Sequence, residues 1–485
     1  MKVSPLTVVK VGGSLLETAE DLSRVGNAVA ARRASGERLL VVVSALQGVT
    51  DRLEQACQQV LDPRSGGELV REVMDSLKNQ HEQAMVELAD AETLRFRIQP
   101  VLDGVERLLT GIRLTGEVTE RIHDLVLAHG ERLSAPLVAA AIKTAGSDAR
   151  DVTSEEVGIK ARGPFGLGSC DLEATEEGLE SIQHELHDRV LVLTGFYGVN
   201  RDGDIVLFGR GGTDYTAGMV AAGLDAASLE LWKNVAGFLS ADPLAVKDAR
   251  HVEELSYDEA CELGYYGARI LHPRCLDPLR GREISVSVRS IEAAEEMGTR
   301  LVPERTGDLS RVAALAVRHG VGVVRVQGAA MVNEPGVAGA IFKAVGDAGI
   351  NIDVVATAMT SVSFTVSDEE VPLALRTLRL MQEEGVTGME KIDVFRDAAL
   401  VGVVGDGLSG DMGIASRIME RLAHEGVGVH LFSHGPGDVS LNCVVSKEDA
   451  ALATQALHET FFATVQVGDE EDGRGGESGD RAVTD

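Results

Sequence analysis

A few short stretches hold side chains of the types that bind anions and transfer charged groups. The longest runs from Leu207 to Pro243 and opens Leu207-Phe208-Gly209-Arg210-Gly211-Gly212-Thr213-Asp214-Tyr215. Arg210 and Asp214 flank two glycines just ahead of a small-residue helix pattern, Ala217 to Leu224. Glycines let backbone N–H groups approach a ligand, and a helix N-terminus favours anions. An arginine there can hold a carboxylate through two parallel hydrogen bonds. The stretch reads either as an anion site with a cation and a carboxylate beside it, or as a glycine-rich turn with an Asp cap. Near the N-terminus, Lys10-Val11-Gly12-Gly13-Ser14 closes a β-branched run. It matches neither the dinucleotide fingerprint nor the P-loop. It does lie at the carboxyl end of a strand, where ligands bind in open α/β sheets. Lys10 meets phosphate there or reaches water. Ser44 and Thr50, in Ser44-Ala45-Leu46-Gln47-Gly48-Val49-Thr50-Asp51, bring hydroxyls to the same sheet edge, unless Thr50 only caps the next helix. Glu131 stands at an expected helix start, where a glutamate is also an ordinary dipole partner. His272, ahead of Pro273, reads as a packed loop residue rather than a base.

These residues need a scaffold. Thr7 to Val11 and Leu39 to Val43 are β-branched runs separated by a helix pattern from about Glu17 to Arg33. Strand, helix and strand at this spacing make a right-handed βαβ unit and imply a parallel sheet. Further strands are expected at Val190–Phe196, Ile205–Phe208, Leu229–Trp232 and Ile284–Val288, with Gly203-Asp204 reading as a hairpin turn before the second and the last closing the first domain. Arg52 to about Gly130 has helical spacing, Gly130 breaks it, and a new helix runs from Leu133 to Thr144. Asp151 to Gln183 is loop-rich. A boundary falls near Arg305 to Asp308. Beyond it the order of elements is βαββαβ, the ferredoxin-like split unit, and it occurs twice. The openings Glu334-Pro335-Gly336-Val337-Ala338 and Asp411-Met412-Gly413-Ile414-Ala415 mark the repeat.

The bulk numbers exclude several classes. The chain has 485 residues, 44% of them hydrophobic and 25% charged, an ordinary globular balance. A net charge of −30 argues against nonspecific nucleic-acid binding. No apolar run approaches a membrane span, and Met1 to Lys10 lacks a signal-peptide pattern, so no membrane partner and a cytoplasmic location are expected. Cys57, Cys170, Cys261, Cys275 and Cys443 are scattered, which points to reduced thiols and away from a structural zinc site. Only 10 of the 46 basic residues are lysine, a balance shared by salt-rich cytoplasms and high-GC genomes.

Taken in order, these stretches resemble aspartate kinases of the amino-acid kinase family, from Lys10 to about Phe462. The motifs are Lys10 to Ser14, Val43-Ser44-Ala45 with Gly48 to Asp51, Gly130-Glu131-Arg132-Leu133-Ser134, Gly209 to Tyr215, Ser240-Ala241-Asp242-Pro243 and Gly267 to Pro273. The C-terminal repeat is similar to a tandem pair of ACT domains. The resemblance implies an α/β fold whose parallel-rich central sheet has helices on both faces, followed by two ferredoxin-like βαββαβ ACT domains. The catalytic domain would span residues 1–305, with a helical segment 52–144. The ACT domains would span 306–392 and 393–466, leaving a disordered acidic tail, 467–485.

The implied reaction is ATP-dependent phosphorylation of the L-aspartate β-carboxylate, toward lysine, threonine and methionine. Such a nucleophile, with a pKa of about 4, needs no general base, and transfer is a matter of positioning and charge stabilisation. Lys10, Asp214 and Arg269 would be catalytic. Ser44, Thr50, Glu131, Phe196, Arg210 and Thr213 would bind aspartate, Glu131 at its α-amino group and Arg210 at its α-carboxylate. Lys10, Gly12, Gly13, Ser14, Lys233, Asn234, Leu239 and Arg269 would bind ATP, with Mg2+ arriving on the phosphates and no protein-held metal. Asp353 and Thr357 would meet an amino-acid effector, and residues 312–462 would form a homodimer or larger assembly.

Several positions depart from the family. Lys233-Asn234-Val235-Ala236-Gly237 stands where Thr-Asp-Val-Asp-Gly is common, which predicts weakened nucleotide binding and a gain from Asn234→Asp. Leu239 replaces a frequent aromatic, Leu244 an arginine and Arg269 a lysine. Thr357-Ala358-Met359 stands where lysine-sensitive relatives tend to carry Thr-Ser-Glu. The alternative is a non-catalytic amino-acid sensor, which would have no use for Lys10, Glu131, Arg210 or Asp214.

Overall fold

The computed structural model describes residues 4–62, 66–268, 270–292, 298–305, 312–331, 334–385, 388–411, 413–435 and 437–462. Arg269 and the acidic tail 467–485 lie outside the described residues.

Strands β1 (Leu6–Val11) and β2 (Arg38–Val43) are almost wholly buried, as continuous Val and Leu runs are inside a parallel sheet covered on both faces. β3 (Ala149–Val152) follows the helical segment. Two short ribbons, β4 (Ala161–Arg162) with β5 (Ser169–Cys170) and β7 (Tyr197–Val199) with β8 (Ile205–Leu207), lie off the main sheet on either side of β6 (Val190–Thr194) in sequence. The strand expected at 205–208 pairs antiparallel with β7 across the turn at Gly203, the hairpin that Gly203-Asp204 implies. β9 (Ser228–Lys233), β10 (Glu254–Ser256), β11 (Ser285–Ser290) and β12 (Thr299–Val302) complete an eight-stranded sheet of order β10-β12-β11-β9-β1-β2-β6-β3. All its pairings are parallel except β11 with β12. β12 follows the strand expected to be last. The stretch read as loop-rich holds the helix Leu172–Ile182, which buries Thr175, Leu179 and Ile182 at three- and four-residue spacing.

Gly130 does not break the helical segment. The helix His129–Thr144 continues almost directly from Glu120–Leu127, with Gly130 inside its first turn. A Cβ on Gly130 would come within 2.7 Å of the Ala45 side chain. The glycine serves the close approach of this helix to the loop after β2, which sets Glu131 against Ala45. Glu120–Thr144 is also the one stretch among the described residues long and apolar enough to cross a membrane, yet 83% of its apolar window is buried inside the protein.

The C-terminal part forms one six-stranded antiparallel sheet from β13 (Ala314–Gln327), β14 (Val355–Ala358), β15 (Ser361–Ser367), β16 (Lys391–Val404), β17 (Leu431–Ser433) and β18 (Ser440–Ser446), in the order β14-β15-β13-β16-β18-β17. β13 and β16 pair along nearly their whole length, with register irregularities around Val321. Each of these two strands thus runs through both repeats, and the division drawn at 392/393 falls inside β16. Val337–Asp347 and Val371–Glu383 cover the first repeat, Ile414–His424 and Ala450–Phe462 the second. The apolar core of the second repeat also takes in Ala241 and Val246, from the loop that follows β9. The C-terminal helix holds that loop again through Ser240 Oγ, 2.8 Å from His458 Nε2.

Candidate active site

The carboxyl ends of β1, β2 and β6 converge with the start of the helix Gly212–Gly223 around a cavity of about 180 Å³. Lys10, Ser44, Thr50, Glu131, Phe196 and Thr213–Asp214 line it, together with Gly211 and Gly212. One end is cationic. Lys10 Nζ lies 2.6 Å from Asp214 Oδ1, both side chains being less than a tenth exposed. Lys233, at the end of β9, places its Nζ 4.0 Å from Asp214 Oδ2. The same oxygen accepts the His272 backbone N–H at 3.3 Å. Burial by itself would raise the Asp214 carboxyl, but the charges of Lys10 and Lys233 and the His272 N–H outweigh it and hold the group below the usual range. Burial, opposed by Asp214 and reinforced by Lys10, pulls the Lys233 ammonium down to about 8. Asp214 therefore orients two ammonium groups at once.

The other end is a buried carboxyl. Glu131 Oε1 accepts the Ala45 N–H at 3.1 Å, while Oε2 has no hydrogen-bond partner among the described residues. Burial pushes the Glu131 carboxyl up to about 8, against the hydrogen bonds from Ala45 and from its own backbone and against the charge of Lys10. Ser134, one turn on, donates its hydroxyl to the Ser44 carbonyl at 2.7 Å and so fixes the β2 loop against this helix. An acceptor left unpaired in the core is costly unless a ligand satisfies it.

The wall between the two ends is strained. Phe196 has φ 79°, a left-handed conformation that costs a bulky residue energy and marks functional sites. It is held there by its N–H to Thr216 Oγ1 at 3.1 Å and by its carbonyl, which accepts the Phe208 N–H at 2.9 Å. A Cβ on Gly212 would meet the Phe196 ring at 2.8 Å. Nothing local in the sequence announces this backbone state.

Of the residues expected at the substrate, Arg210 is the one that does not line the cavity. It is exposed, and among the described residues it makes no ion pair. It sits between Gly209 (φ 74°) and Gly211 (φ 72°), on a turn tight enough that a Cβ at Gly211 would strike the His272 ring. Arg210 can therefore meet only a carboxylate presented at the mouth. Arg210→Ala should raise the KM of an amino-acid substrate about tenfold, the loss of one exposed charge-assisted pair, and leave ATP affinity unchanged. Initial-rate kinetics in each substrate read this directly. A fall in ATP affinity alone would place Arg210 on the wrong ligand.

Among the residues expected at the nucleotide, Gly12 leaves the Lys10 ammonium uncovered, since a Cβ there would stand 3.2 Å from Nζ. Gly13 lets its loop approach the Ala45 carbonyl. Asn234 donates its amide to the Ser14 carbonyl at 3.2 Å, tying the β1 loop to the β9 loop. This reverses the expectation for Asn234→Asp. A carboxylate would lose the donor and face a carbonyl oxygen, so ATP affinity should fall about two- to tenfold. Nucleotide titration of the variant against wild type checks it, and tighter binding by the variant would restore the original expectation. Leu239, Phe238 and Asp242 line a second cavity of about 270 Å³, whose far wall is Leu315 and Val317 of β13. Among the described residues no group of three His, Cys, Asp or Glu side chains converges to hold a metal ion.

The chain belongs to the amino acid kinase family, among its aspartokinases. The profile of that family matches residues 5–290, and an ACT domain profile matches 324–380 and 401–461. Aspartokinase 1, chloroplastic, of Arabidopsis thaliana is 31% identical over 469 residues, covering 94% of this chain and 80% of the relative. The chloroplastic bifunctional aspartokinase/homoserine dehydrogenase 1 of Zea mays is 29% identical over 95% of this chain but only 51% of its own length, so the chain spans about half of the bifunctional relatives it matches. Among solved structures, E. coli aspartokinase III in complex with aspartate and ADP (R-state) superposes with a TM-score of 0.79 at 25% identity, over 94% of this chain and 100% of that one. The same protein in complex with lysine and aspartate (T-state) also gives 0.79.

Proposed function

We propose that the chain transfers the γ-phosphoryl group of ATP to the β-carboxylate of L-aspartate. The observation that carries this reading is a cavity sized for one small molecule, with Lys10 on Asp214 at one end, Lys233 on the other oxygen of Asp214, and the buried, half-unpaired Glu131 at the opposite end. A carboxylate oxygen attacks the γ-phosphorus as the bond to the departing ADP oxygen breaks. Both reactants are anions, so the protein must supply positive charge where negative charge accumulates. Lys10 and Lys233 do this, and Asp214 keeps them from swinging away. Glu131 takes the α-ammonium group, Arg210 the α-carboxylate, and Ser44, Thr50, Phe196 and Thr213 close the pocket. Magnesium enters with ATP as part of the substrate.

ADP release with aspartate, glutamate and N-acetylglutamate tests the proposal. Aspartate alone should support turnover, because glutamate is a methylene too long and the acetylated amine cannot pair with Glu131. Absence of ADP release with aspartate, together with binding of an amino acid by the C-terminal sheet, would establish the sensor reading instead. The protein is proposed to act in the cytoplasm as a homodimer or larger assembly through residues 312–462.

Regulation is proposed at the first repeat, near Asp353 and Thr357. Thr357 is exposed on the edge strand β14, and Met359, 81% exposed, offers no carboxylate to a lysine side chain. Threonine or another neutral amino acid should therefore inhibit more strongly than lysine, or feedback should be absent. Assays at subsaturating aspartate with lysine, threonine and methionine in turn check this. Strong inhibition by lysine alone would refute it.

A further inference from the structure

Asp353 is not an open acceptor. Its side chain is 1% exposed and one oxygen lies 2.8 Å from Arg318 Nη1 of β13. The same oxygen accepts the hydroxyl of Tyr265, whose own oxygen accepts the Asn351 amide at 3.1 Å. The guanidinium of Arg318 also lies 5.4 Å from the Tyr265 ring centroid. Tyr265 is not part of the C-terminal sheet. It belongs to the tight turn Gly264–Ala268 of the catalytic part.

Its neighbour makes the matching contact with the other repeat. The hydroxyl of Tyr266 accepts the Asn442 amide of β18 at 3.1 Å, in a buried setting. Its ring packs on Gly402 of β16, where a Cβ would stand 3.3 Å from Cδ2. The two tyrosine rings meet edge to face, 5.4 Å apart. Gly267, at φ 139°, admits no side chain, since a Cβ would reach the Val317 carbonyl at 2.7 Å. A few residues on, the same segment delivers the His272 N–H to Asp214, the carboxylate that orients both lysines.

We propose that Tyr265 and Tyr266 are positioning residues: the pair pins the segment 264–272 to both regulatory repeats at once and thereby sets the His272 contact with Asp214. Neither tyrosine touches the reacting groups. Each repeat has its own handle on one turn, so a change in either repeat reaches the catalytic carboxylate through covalent chain rather than through the intervening core. Asp353 keeps one oxygen without a hydrogen-bond partner. The inference rests on the catalytic reading only for its kinetic arm.

The test uses the full-length Tyr265→Phe, Asp353→Ala and Tyr265→Phe/Asp353→Ala proteins. Hydrogen–deuterium exchange over residues 264–272 is independent of catalysis. Each single variant should exchange about tenfold faster there, with protection of β1 unchanged. In the ADP-release assay each should lose about tenfold in kcat at unchanged aspartate KM, the scale of an ordinary coupling between sites. The double variant should lose less than the product of the two single losses, because the Tyr265–Asp353 contact is common to both. Wild-type exchange over 264–272 in both single variants overturns the proposal, and so do kcat losses that multiply in the double variant. If no variant or wild type phosphorylates aspartate, the catalytic reading fails, while the exchange result still decides whether the tyrosine couples the repeat to the turn.

Discussion

Lys10→Ala should abolish turnover, with kcat reduced about 10³-fold or more, while the protein still folds. Removing a single preorganised group aimed at developing negative charge typically costs about 10²- to 10³-fold, and Lys10 has a second role. It is the close partner of a buried carboxylate, at 2.6 Å. Deleting one member of a buried pair costs about 3–5 kcal/mol when nothing else compensates the charge left behind. Here Lys233 at 4.0 Å and the His272 N–H remain, so the stability loss should fall below that range. Without Lys10 the largest influence holding the Asp214 carboxyl down is gone, and burial then pushes it up. Asp214→Asn on the Lys10→Ala background should accordingly recover melting temperature and leave turnover at zero. Those two results separate the electrostatic role from the structural one. Phosphoryl transfer at the wild-type rate by folded Lys10→Ala would show that the charge is not used.

The second large effect is at Glu131. Glu131→Gln keeps the acceptor for the Ala45 N–H but cannot carry the charge that an α-ammonium group requires. Losing one side of a desolvated charge pair costs about 2–5 kcal/mol, so kcat/KM for aspartate should fall about 10²- to 10³-fold, with ATP affinity unchanged. The pH dependence has a definite sign. With its carboxyl raised to about 8 by burial, Glu131 favours the protonated form at pH 7, and pairing with an α-ammonium group must expel that proton. Aspartate affinity should therefore weaken as pH falls below about 8. Stability of the ligand-free protein runs the other way. Between the ordinary glutamate range and about 8 the folded state binds more protons than the unfolded one, so this group lowers stability as pH rises through that window. Glu131→Gln should melt higher than wild type at pH 8 and close to it at pH 5. An aspartate KM that is flat from pH 6 to 8 would sink the assignment.

Much of the scaffold was legible because its signals are local. Val- and Leu-rich runs produce β1, β2 and β6, the run Leu229–Trp232 produces β9, and their spacing implies a parallel sheet whose carboxyl ends carry Lys10, Ser44 and Lys233. The glycines at 12, 13, 211 and 212 indicate close approach without naming a partner, and the tertiary structure supplies the partners. Gly130 misleads because the same residue type serves two purposes. A glycine inside a helical pattern reads as a stop, and only the packing of Ala45 against it shows that the missing Cβ is what matters. The helix Leu172–Ile182 was hidden by the surrounding glycines and polar residues.

The sequence by itself placed a lysine at a strand end and a glutamate at a helix start, and its resemblance to aspartate kinases implied a reaction between two anions. It also marked the C-terminal part as a repeat, since a βαββα order is written twice in local periodicity. Tertiary structure alone decided which charges meet. Sheet order places β9 beside β1 although more than two hundred residues separate them, and that adjacency turns Lys233 from a loop lysine into the second partner of Asp214. The long pairing of β13 with β16 fuses the repeats into one sheet. Docking of that sheet on the turn Gly264–Ala268 closes Asp353, an open acceptor by its sequence neighbours, with Arg318 and Tyr265. Periodicity reports how a residue faces its own element. Coulomb interactions act between elements, and their distances are set only when the sheets have been ordered and packed.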